Sequence, residues 1–286
     1  MKRTKWISTR SYRRFPALAQ VVVMSISFLL AVTCCITFPP LNAAAAAAAA
    51  EPSAQEILDS ISSSNILSGN GQATLEMTVV SKQGRKKVQQ LELYRRDDGK
   101  GNVSQLLVFT APADIKGTKF LSIGTAGKET QMWLYMPTLG RERLISGSAT
   151  QGQFMGTDFT YEEISGAISF SAEYTAKRLA DTTKDKLSCY VLELTPKSDK
   201  AKYGRLKLVV HKESRIPLVI EFFNRAGKAE KTLTLDGLHK SQDGIWQPKT
   251  IILNNLSSGS STIIDILQES REEVSEEMFT LRYLRR

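Results

Sequence analysis

The sequence predicts a mainly β protein in which one long antiparallel sheet is accompanied by a few short helices. After Gly69 the chain consists of runs of six to ten residues separated by short turn clusters such as Asp97-Asp98-Gly99-Lys100-Gly101. Connections this short join neighbouring strands as hairpins, which makes the strands antiparallel. No segment between the runs resembles the crossover helix that a parallel sheet requires.

The alternation of apolar side chains indicates that one face of this sheet is covered. Leu206, Leu208 and Val210 alternate with more polar neighbours, so one face is apolar and the other is mixed. A sheet of this length curls into a barrel or splits into a sandwich. Strands are expected near 72–80, 86–95, 103–109, 118–123, 131–136, 141–146, 171–180, 187–195, 203–211, 216–224, 229–238, 246–255 and 261–268.

Helices are few in the predicted fold. A capping-box spacing before an apolar stripe that includes Ile57 and Leu58 predicts a helix over 54–64, and a second capping box predicts a helix over 160–166. Two short helices cannot cover the apolar face of so many strands. The sheet therefore either packs on itself or leaves a cavity.

Residues 1–50 have the order of regions found in a secretory signal. Residues 1–16 are basic without carboxylates, residues 17–38 are almost wholly apolar, and an alanine run follows at 43–50. An uncleaved anchor is the alternative, because 22 residues at ~1.5 Å each would span a ~30 Å hydrocarbon core. In either case residues 51–286 form a domain expected to lie outside the cytoplasm, in the periplasm.

The charge distribution argues against a nucleic-acid partner. The formal net charge is +9, but residues 1–50 hold six basic residues and no acidic one. The remainder carries 32 basic against 29 acidic residues, a surplus of only +3. A basic surface large enough to bind a phosphate backbone is therefore not expected.

The chain contains no recognisable catalytic, metal or cofactor motif. It has no Gly-x-Ser-x-Gly elbow, Walker A loop, dinucleotide fingerprint or paired metal-ligand spacing. His211 and His239 each fall at the end of an expected strand, where surface positions are predicted, and Cys189 is expected to be a buried small hydrophobe. A non-enzymatic protein without a metal or a cofactor is therefore predicted.

Residues 132–161 carry the strongest functional signal. The run from Met132 to Met136 is apolar on both faces of a strand, which predicts burial by the core on one side and by a lid or a ligand on the other. The Gly-rich loop 147–158 carries Phe154 and Met155, which a plain connector has no reason to expose. These side chains are expected to fold back onto the sheet as a plug, and a plug that can be displaced would admit a chain.

Arg141 and Arg143 lie two residues apart and therefore on one face of a strand. Such a pair suits a phosphate or carboxylate at the mouth of a cavity. A solvated face is the alternative.

The same block resembles a known family. The residues Trp133-Leu134-Tyr135-x-Pro137, Leu139-Gly140-Arg141-x-Arg143-x-Ile145-Ser146-Gly147-Ser148 and Phe154-Met155-Gly156-Thr157-Asp158-Phe159-Thr160-Tyr161-Glu162 resemble the LolA-like family of outer-membrane lipoprotein-sorting proteins. The resemblance is to a broader branch of this family, and not to the true lipoprotein carrier. It implies a half-open barrel like that of LolA and LolB, in which helices and loops close the concave apolar face of a strongly curved antiparallel sheet.

The resemblance also implies a function. It suggests a non-enzymatic periplasmic carrier that binds acyl chains of a lipid or lipoprotein in an apolar cavity for transfer toward the outer membrane. The alternative is an envelope sensor or adaptor that binds a protein such as an inner-membrane exporter. Arg141 and Arg143 would contact the head group, and the cavity and its lid would be formed by Ile57, Leu58, Met132, Trp133, Leu134, Tyr135, Met136, Phe154, Met155, Phe159 and Tyr161.

Overall fold

The computed structural model of the protein describes residues 51–62, 70–166, 170–199, 201–241 and 244–286. The segment 1–50, which the sequence predicts to be an export signal, lies outside these ranges, as does the end of the helix expected over 54–64. Within the described ranges, no helix is both long enough and apolar enough to cross a membrane.

The described residues form fifteen strands and four short α-helices. The strands are β1 (Gly71–Val80), β2 (Lys86–Asp97), β3 (Val103–Ala111), β4 (Lys119–Gly124), β5 (Gln131–Met136), β6 (Arg141–Ile145), β7 (Tyr174–Lys184), β8 (Leu187–Pro196), β9 (Arg205–His211), β10 (Pro217–Phe223), β11 (Ala229–Asp236), β12 (His239–Lys240), β13 (Trp246–Gln247), β14 (Thr250–Asn255) and β15 (Ser260–Ser270). The helices are α1 (Ala54–Ser62), α2 (Tyr161–Ile164), α3 (Phe170–Glu173) and α4 (Leu281–Leu284). Single 3-10 turns occupy Pro137–Leu139, Gly147–Gln151 and Glu276–Phe279.

Thirteen of the strands form one antiparallel sheet, which confirms the predicted fold class. Its order is β6-β5-β4-β3-β2-β1-β15-β14-β11-β10-β9-β8-β7, and β12 pairs separately with β13. The first and last strands of the sequence, β1 and β15, pair in the middle of the sheet. Because β6 and β7 are its two edges, the connection 146–173 leads from one edge of the sheet to the other.

Two of the expected strands differ from those observed. The strand expected over 171–180 begins only at Tyr174, because Phe170–Glu173 forms α3. The strand expected over 246–255 is broken around Pro248, which has no N–H to donate to a ladder. Its first part becomes β13 in the small ribbon, and its second part, β14, pairs with β11 and β15.

The large sheet has an apolar inner face. Leu75, Leu91, Leu107, Leu208 and Leu253 come from both halves of the sheet and belong to one buried cluster, called the inner cluster. Three buried apolar residues of α1 and Phe154 of the connection also belong to it. Side chains from small elements of the same chain therefore pack on this face.

The opposite, outer face is covered in the N-terminal half of the sheet by the C-terminal segment, residues 271–286. Leu106 of β3 and Leu121 of β4 pack there with Val274, Phe279 and Leu284 in a second, smaller buried cluster. This outer cluster shares no buried residue with the inner one. The two faces of the same strands thus have different covers.

Candidate functional site

Helix α1 places an apolar stripe against the inner face. Its capping box is formed, since the Glu56 N–H donates to Ser53 Oγ at 3.2 Å and the Ser53 N–H donates to Glu56 Oε2 at 2.7 Å. Ile57, Leu58 and Ile61 are buried in the inner cluster. Burial of each such side chain contributes about 1.5–3 kcal/mol, so packing on the sheet, more than propensity, holds this nine-residue helix.

The loop expected to act as a plug forms a tight turn. The plug loop, residues 147–160, brings the Phe154 N–H to the carbonyl oxygen of Phe159 at 2.8 Å, and the Thr157 N–H donates to the carbonyl oxygen of Phe154 at 2.8 Å. The central residues Met155 and Gly156 have φ angles of 47° and 76°. A methionine in this left-handed region costs about 1–2 kcal/mol. The surrounding contacts must therefore hold the turn in shape.

The contacts of Phe154 supply much of that support. Its ring is fully buried and lies 6.0 Å from Phe109 of β3 and 5.2 Å from Phe120 of β4, between ring centroids. Tyr161 packs edge-on at 5.4 Å. Phe159 is also buried in the inner cluster, and Met155 packs against it. The plug loop thus folds back onto the inner face and fills it with its own aromatic side chains.

A buried ion pair fixes the plug loop to the sheet. Lys231 Nζ of β11 lies 3.0 Å from Glu163 Oε2 of α2, and the Tyr203 hydroxyl donates to Glu163 Oε1 at 2.6 Å. The Thr160 N–H donates to the same carboxylate at 2.8 Å and completes the second capping box. Burial raises the pKa of Glu163, but Lys231 and Tyr203 outweigh this effect and the pKa lies below its usual range. Glu163 therefore remains ionised at neutral pH.

A second polar anchor joins the plug loop to β15. The Asp158 carboxylate accepts hydrogen bonds from Ser260 Oγ at 2.5 Å and from Thr262 Oγ1 at 2.9 Å. Lys231 Nζ also donates to the carbonyl oxygen of Asp158 at 2.7 Å. The plug loop is consequently hydrogen-bonded to β11 and β15, and it packs on β3 and β4 through its aromatic side chains.

The apolar run of β5 is divided between the two faces. Met132 and Leu134 are buried in the inner cluster, whereas Trp133 and Tyr135 pack against the outer cluster. Trp133 and Tyr135 thus lie on the other face, contrary to the expectation that they line the same cavity as Met132, Leu134 and Met136. The reason is the two-residue period of a strand, together with a cover on the outer face that comes from the far end of the sequence.

The arginine pair lies on the edge strand β6. Arg141 is paired in register with Met136, and Arg143 with Leu134. Directly opposed residues share a face, so both guanidinium groups lie on the side of the inner cluster. Both side chains are exposed, and neither has a hydrogen-bond or ion-pair partner among the described residues. Burial raises the pKa of Tyr161, and the nearby positive charge of Arg143 opposes this increase.

A half-open cavity of about 330 Å³ reaches the inner cluster from the other half of the sheet. Tyr174, Leu206 and Phe222 form its apolar wall and belong to the inner cluster. Glu162 and Glu173 lie among its polar lining, and burial raises the pKa of both carboxyl groups. This volume is at the lower end of the range for small-molecule pockets. No sequence pattern predicts this cavity, because its walls combine residues from the ranges 151–174 and 197–222.

One of the two histidines is not at the surface. His211 is buried, its ring lies 4.8 Å from that of Trp246, and Nδ1 is 2.9 Å from Ser214 Oγ. The surface position expected for it is therefore wrong, since the ribbon of β12 and β13 brings Trp246 against its ring. Burial lowers the pKa of His211. Cys189 is buried in the inner cluster, as predicted.

Two buried polar side chains on β2 were not identified from the sequence. Gln89 and Arg95 alternate with Leu91 and Leu93 and therefore share the inner face. Arg95 Nη2 lies 3.5 Å from Asp97 Oδ2, and burial lowers the pKa of the guanidinium. Polar residues at the apolar positions of a strand were the available signal, and that alternation could have found them.

The fold and the site together define an open, curved antiparallel sheet whose apolar inner face is filled by small elements of the same chain. A domain assigned to an outer membrane lipoprotein-sorting protein of Vibrio parahaemolyticus is similar, with a TM-score of 0.73 and 26% identity over 82% of this chain and 98% of that one. A DUF1329 family protein of Desulfovibrio piger gives 0.72 and 24% over 82% and 100%. A LolA superfamily protein of Nitrosomonas europaea gives 0.62 and 21% over 82% and 100%.

A family model described as "Uncharacterized protein" matches residues 101–286. Because the match spans more than half of the sequence, the chain belongs to that family. The similarity to the lipoprotein-sorting domain confirms the resemblance that the block at residues 133–162 indicated, and the other two structures share the fold. No curated protein matches the sequence.

Proposed function

We propose that this protein is a non-enzymatic carrier that binds acyl chains of a lipid or lipoprotein on the inner face of its sheet. Residues 1–50 would direct its export, and the carrier would move its cargo through the periplasm toward the outer membrane. The observation that carries the proposal is the nature of the cover. The inner face is apolar across both halves of the sheet, and it is buried by short, separate elements of the chain, chiefly α1 and the plug loop.

The energetics suit reversible binding. Each methylene removed from water contributes ~0.8 kcal/mol, so a sixteen-carbon chain offers on the order of 10 kcal/mol before ordering costs. Binding would have to displace Phe154 or the stripe of α1, whose burial contributes about 1.5–3 kcal/mol for each side chain. The net affinity is lower by that amount. Such a carrier could release its cargo to a membrane acceptor without ATP.

The first experiment measures binding of a fluorescent fatty acid to the delipidated protein. We expect saturable binding with a Kd on the order of 1 μM. A folded sample that leaves the fluorescence unchanged would contradict the proposal. Native mass spectrometry of protein taken from the envelope identifies the cargo by mass, and a stoichiometric protein partner without lipid would support an adaptor function instead.

The arginine pair gives the carrier a place for an anionic head group. We expect the double substitution Arg141→Gln and Arg143→Gln to weaken binding of the fatty-acid anion several-fold, because two unpaired positive charges at the sheet edge are lost. Binding of a fatty alcohol of equal length should not change. The charge-matched control is Lys100→Gln with Lys128→Gln in two exposed turns. Equal losses for both ligands would rule out head-group contact.

The division of β5 between two faces also makes a prediction. Trp133→Ala removes an aromatic ring from the outer cluster and should lower the free energy of unfolding by about 1–3 kcal/mol. Its Kd for the fatty-acid probe should equal that of the wild type, since the ring lies on the other side of the sheet. Urea denaturation and probe titration measure the two quantities. A loss of affinity with intact folding would mean that the outer face takes part in binding.

A further inference from the structure

Gln89 is a fully buried side chain whose amide has no hydrogen-bond partner among the described residues. Its exposed fraction is 0%, and in that part of the chain neither Nε2 nor Oε1 is paired. Two other buried polar side chains of the inner face do have partners: Gln105 Nε2 donates to the carbonyl oxygen of Ile164 at 3.0 Å, and Thr262 Oγ1 donates to Asp158 at 2.9 Å. A buried amide that can donate and accept is costly to leave unpaired, so a second state in which it is paired would explain its presence.

The position of Gln89 indicates what that state is. Its register partner on β1 is Met77, and the next residue across the sheet is Ile264 of β15. The plug loop is held at one end by Phe154 over β3 and β4, and at the other by Asp158 on β15. Strands β2 and β1 lie between these two points. The loop must therefore cross the inner face over the strands that carry Gln89.

The crossing also matches Gln89 along the strand direction. Phe109, under the ring of Phe154, is paired with Leu91, which lies two residues from Gln89 toward one end of β2. On β15, Thr262, which holds Asp158, lies two residues from the level of Gln89 toward the opposite end. A diagonal between these contacts passes the row formed by Gln89 and Met77. Displacement of the plug loop would uncover the amide together with its apolar neighbours.

We propose that Gln89 recognises the carbonyl linkage of the cargo, an acyl ester or acyl amide, once the plug loop is displaced. This inference rests on the proposed carrier function. Nε2 would donate to the carbonyl oxygen, and Oε1 would accept from a neighbouring hydroxyl or amide N–H. An alkyl chain without that linkage would leave the amide unpaired, and sites built around a hydrogen bond discriminate strongly against ligands that lack it. Gln89 is thus a specificity-determining residue for linked acyl chains.

The test compares two fluorescent probes of equal chain length on the full-length protein, a monoacylglycerol and an alkyl chain that has no carbonyl group. The wild type should prefer the ester, and Gln89→Met should weaken ester binding at least tenfold while alkyl binding and the melting temperature stay the same or rise. An N-acyl amide probe shows whether the linkage of a lipid or of a lipoprotein is preferred. Gln89→Leu should behave like Gln89→Met, and Gln90→Met, at the exposed neighbouring position on the other face of the same strand, is the matched control that should leave both affinities unchanged.

The outcomes separate this inference from the carrier function. If Gln89→Met binds the ester probe as tightly as the wild type does, and both proteins bind the alkyl probe, the role of Gln89 is overturned and the carrier function stays intact. A variant that melts lower and loses both probes equally would show that Gln89 has a structural role, which also overturns the inference. If neither probe binds to the wild type, the carrier function itself is wrong, and the role of Gln89 falls with it.

Discussion

Replacement of Phe154 by alanine is expected to destabilise the fold and to strengthen acyl-chain binding. The ring is fully buried among Phe109, Phe120 and Tyr161, and the loss of such a ring costs about 3–5 kcal/mol. The same change removes the side chain that an incoming acyl chain has to displace. If 1.4 kcal/mol of that competition is lost, the Kd falls roughly tenfold. Urea denaturation and fatty-acid titration measure the two effects on one sample.

Phe279→Ala is the matched control for this prediction. Phe279 is also a buried phenylalanine, but it belongs to the outer cluster and packs on the other face of the same strands. Its removal should lower the stability without a change in Kd. A decrease in affinity for Phe154→Ala would contradict the plug interpretation, because it would mean that the ring contacts the cargo instead of competing with it.

The strands were predictable because their signals are local. Turn clusters and two-residue alternation gave most strand positions to within a few residues, and the capping boxes gave the starts of α1 and α2. The strand starts were misplaced at α3 and around Pro248, where contacts with distant parts of the chain determine the secondary structure. The chain order of the sheet was not predictable, because the pairing of β1 with β15 joins segments about 190 residues apart.

The candidate site was only partly predictable for the same reason. The block at 132–161 showed that Phe154 is too apolar for a surface loop, but its partners on β3 and β4 are known only from the structure. Alternation separated Trp133 from Met132, although the sequence did not show that the C-terminal segment would cover the outer face. The sequence shows that Gln89 is a polar residue at an apolar position of an alternating strand, but only the structure shows that its amide has no partner among the described residues.

The second large effect is expected from Glu163→Gln. The side chains of Lys231 and Glu163 are only 11% and 7% exposed, so the substitution leaves a buried ammonium group without its counter-charge, at a cost of about 3 kcal/mol. Glutamine keeps the shape, but it has a single oxygen, whereas Tyr203 and the Thr160 N–H each donate to a different oxygen of Glu163. The substitution therefore removes the charge and one hydrogen bond while the packing volume stays the same. Because Glu163 holds the plug loop, amide exchange of residues 153–160 should accelerate, and the fatty-acid probe should bind more tightly.

The pH dependence of the free energy of unfolding distinguishes loss of this ion pair from a general destabilisation of the fold. The pKa of Glu163 is lower in the folded than in the unfolded protein, so its contribution to stability is fully present above about pH 4.3, the usual pKa, and is lost as the pH falls through the folded value. The difference between the wild type and Glu163→Gln should therefore shrink as the pH decreases below 4. The double variant Glu163→Gln with Lys231→Met should recover much of the stability at neutral pH, since no unpaired charge remains buried. If the difference stayed constant with pH, or exchange of the plug loop did not change, the ion pair would not be what keeps the inner face closed.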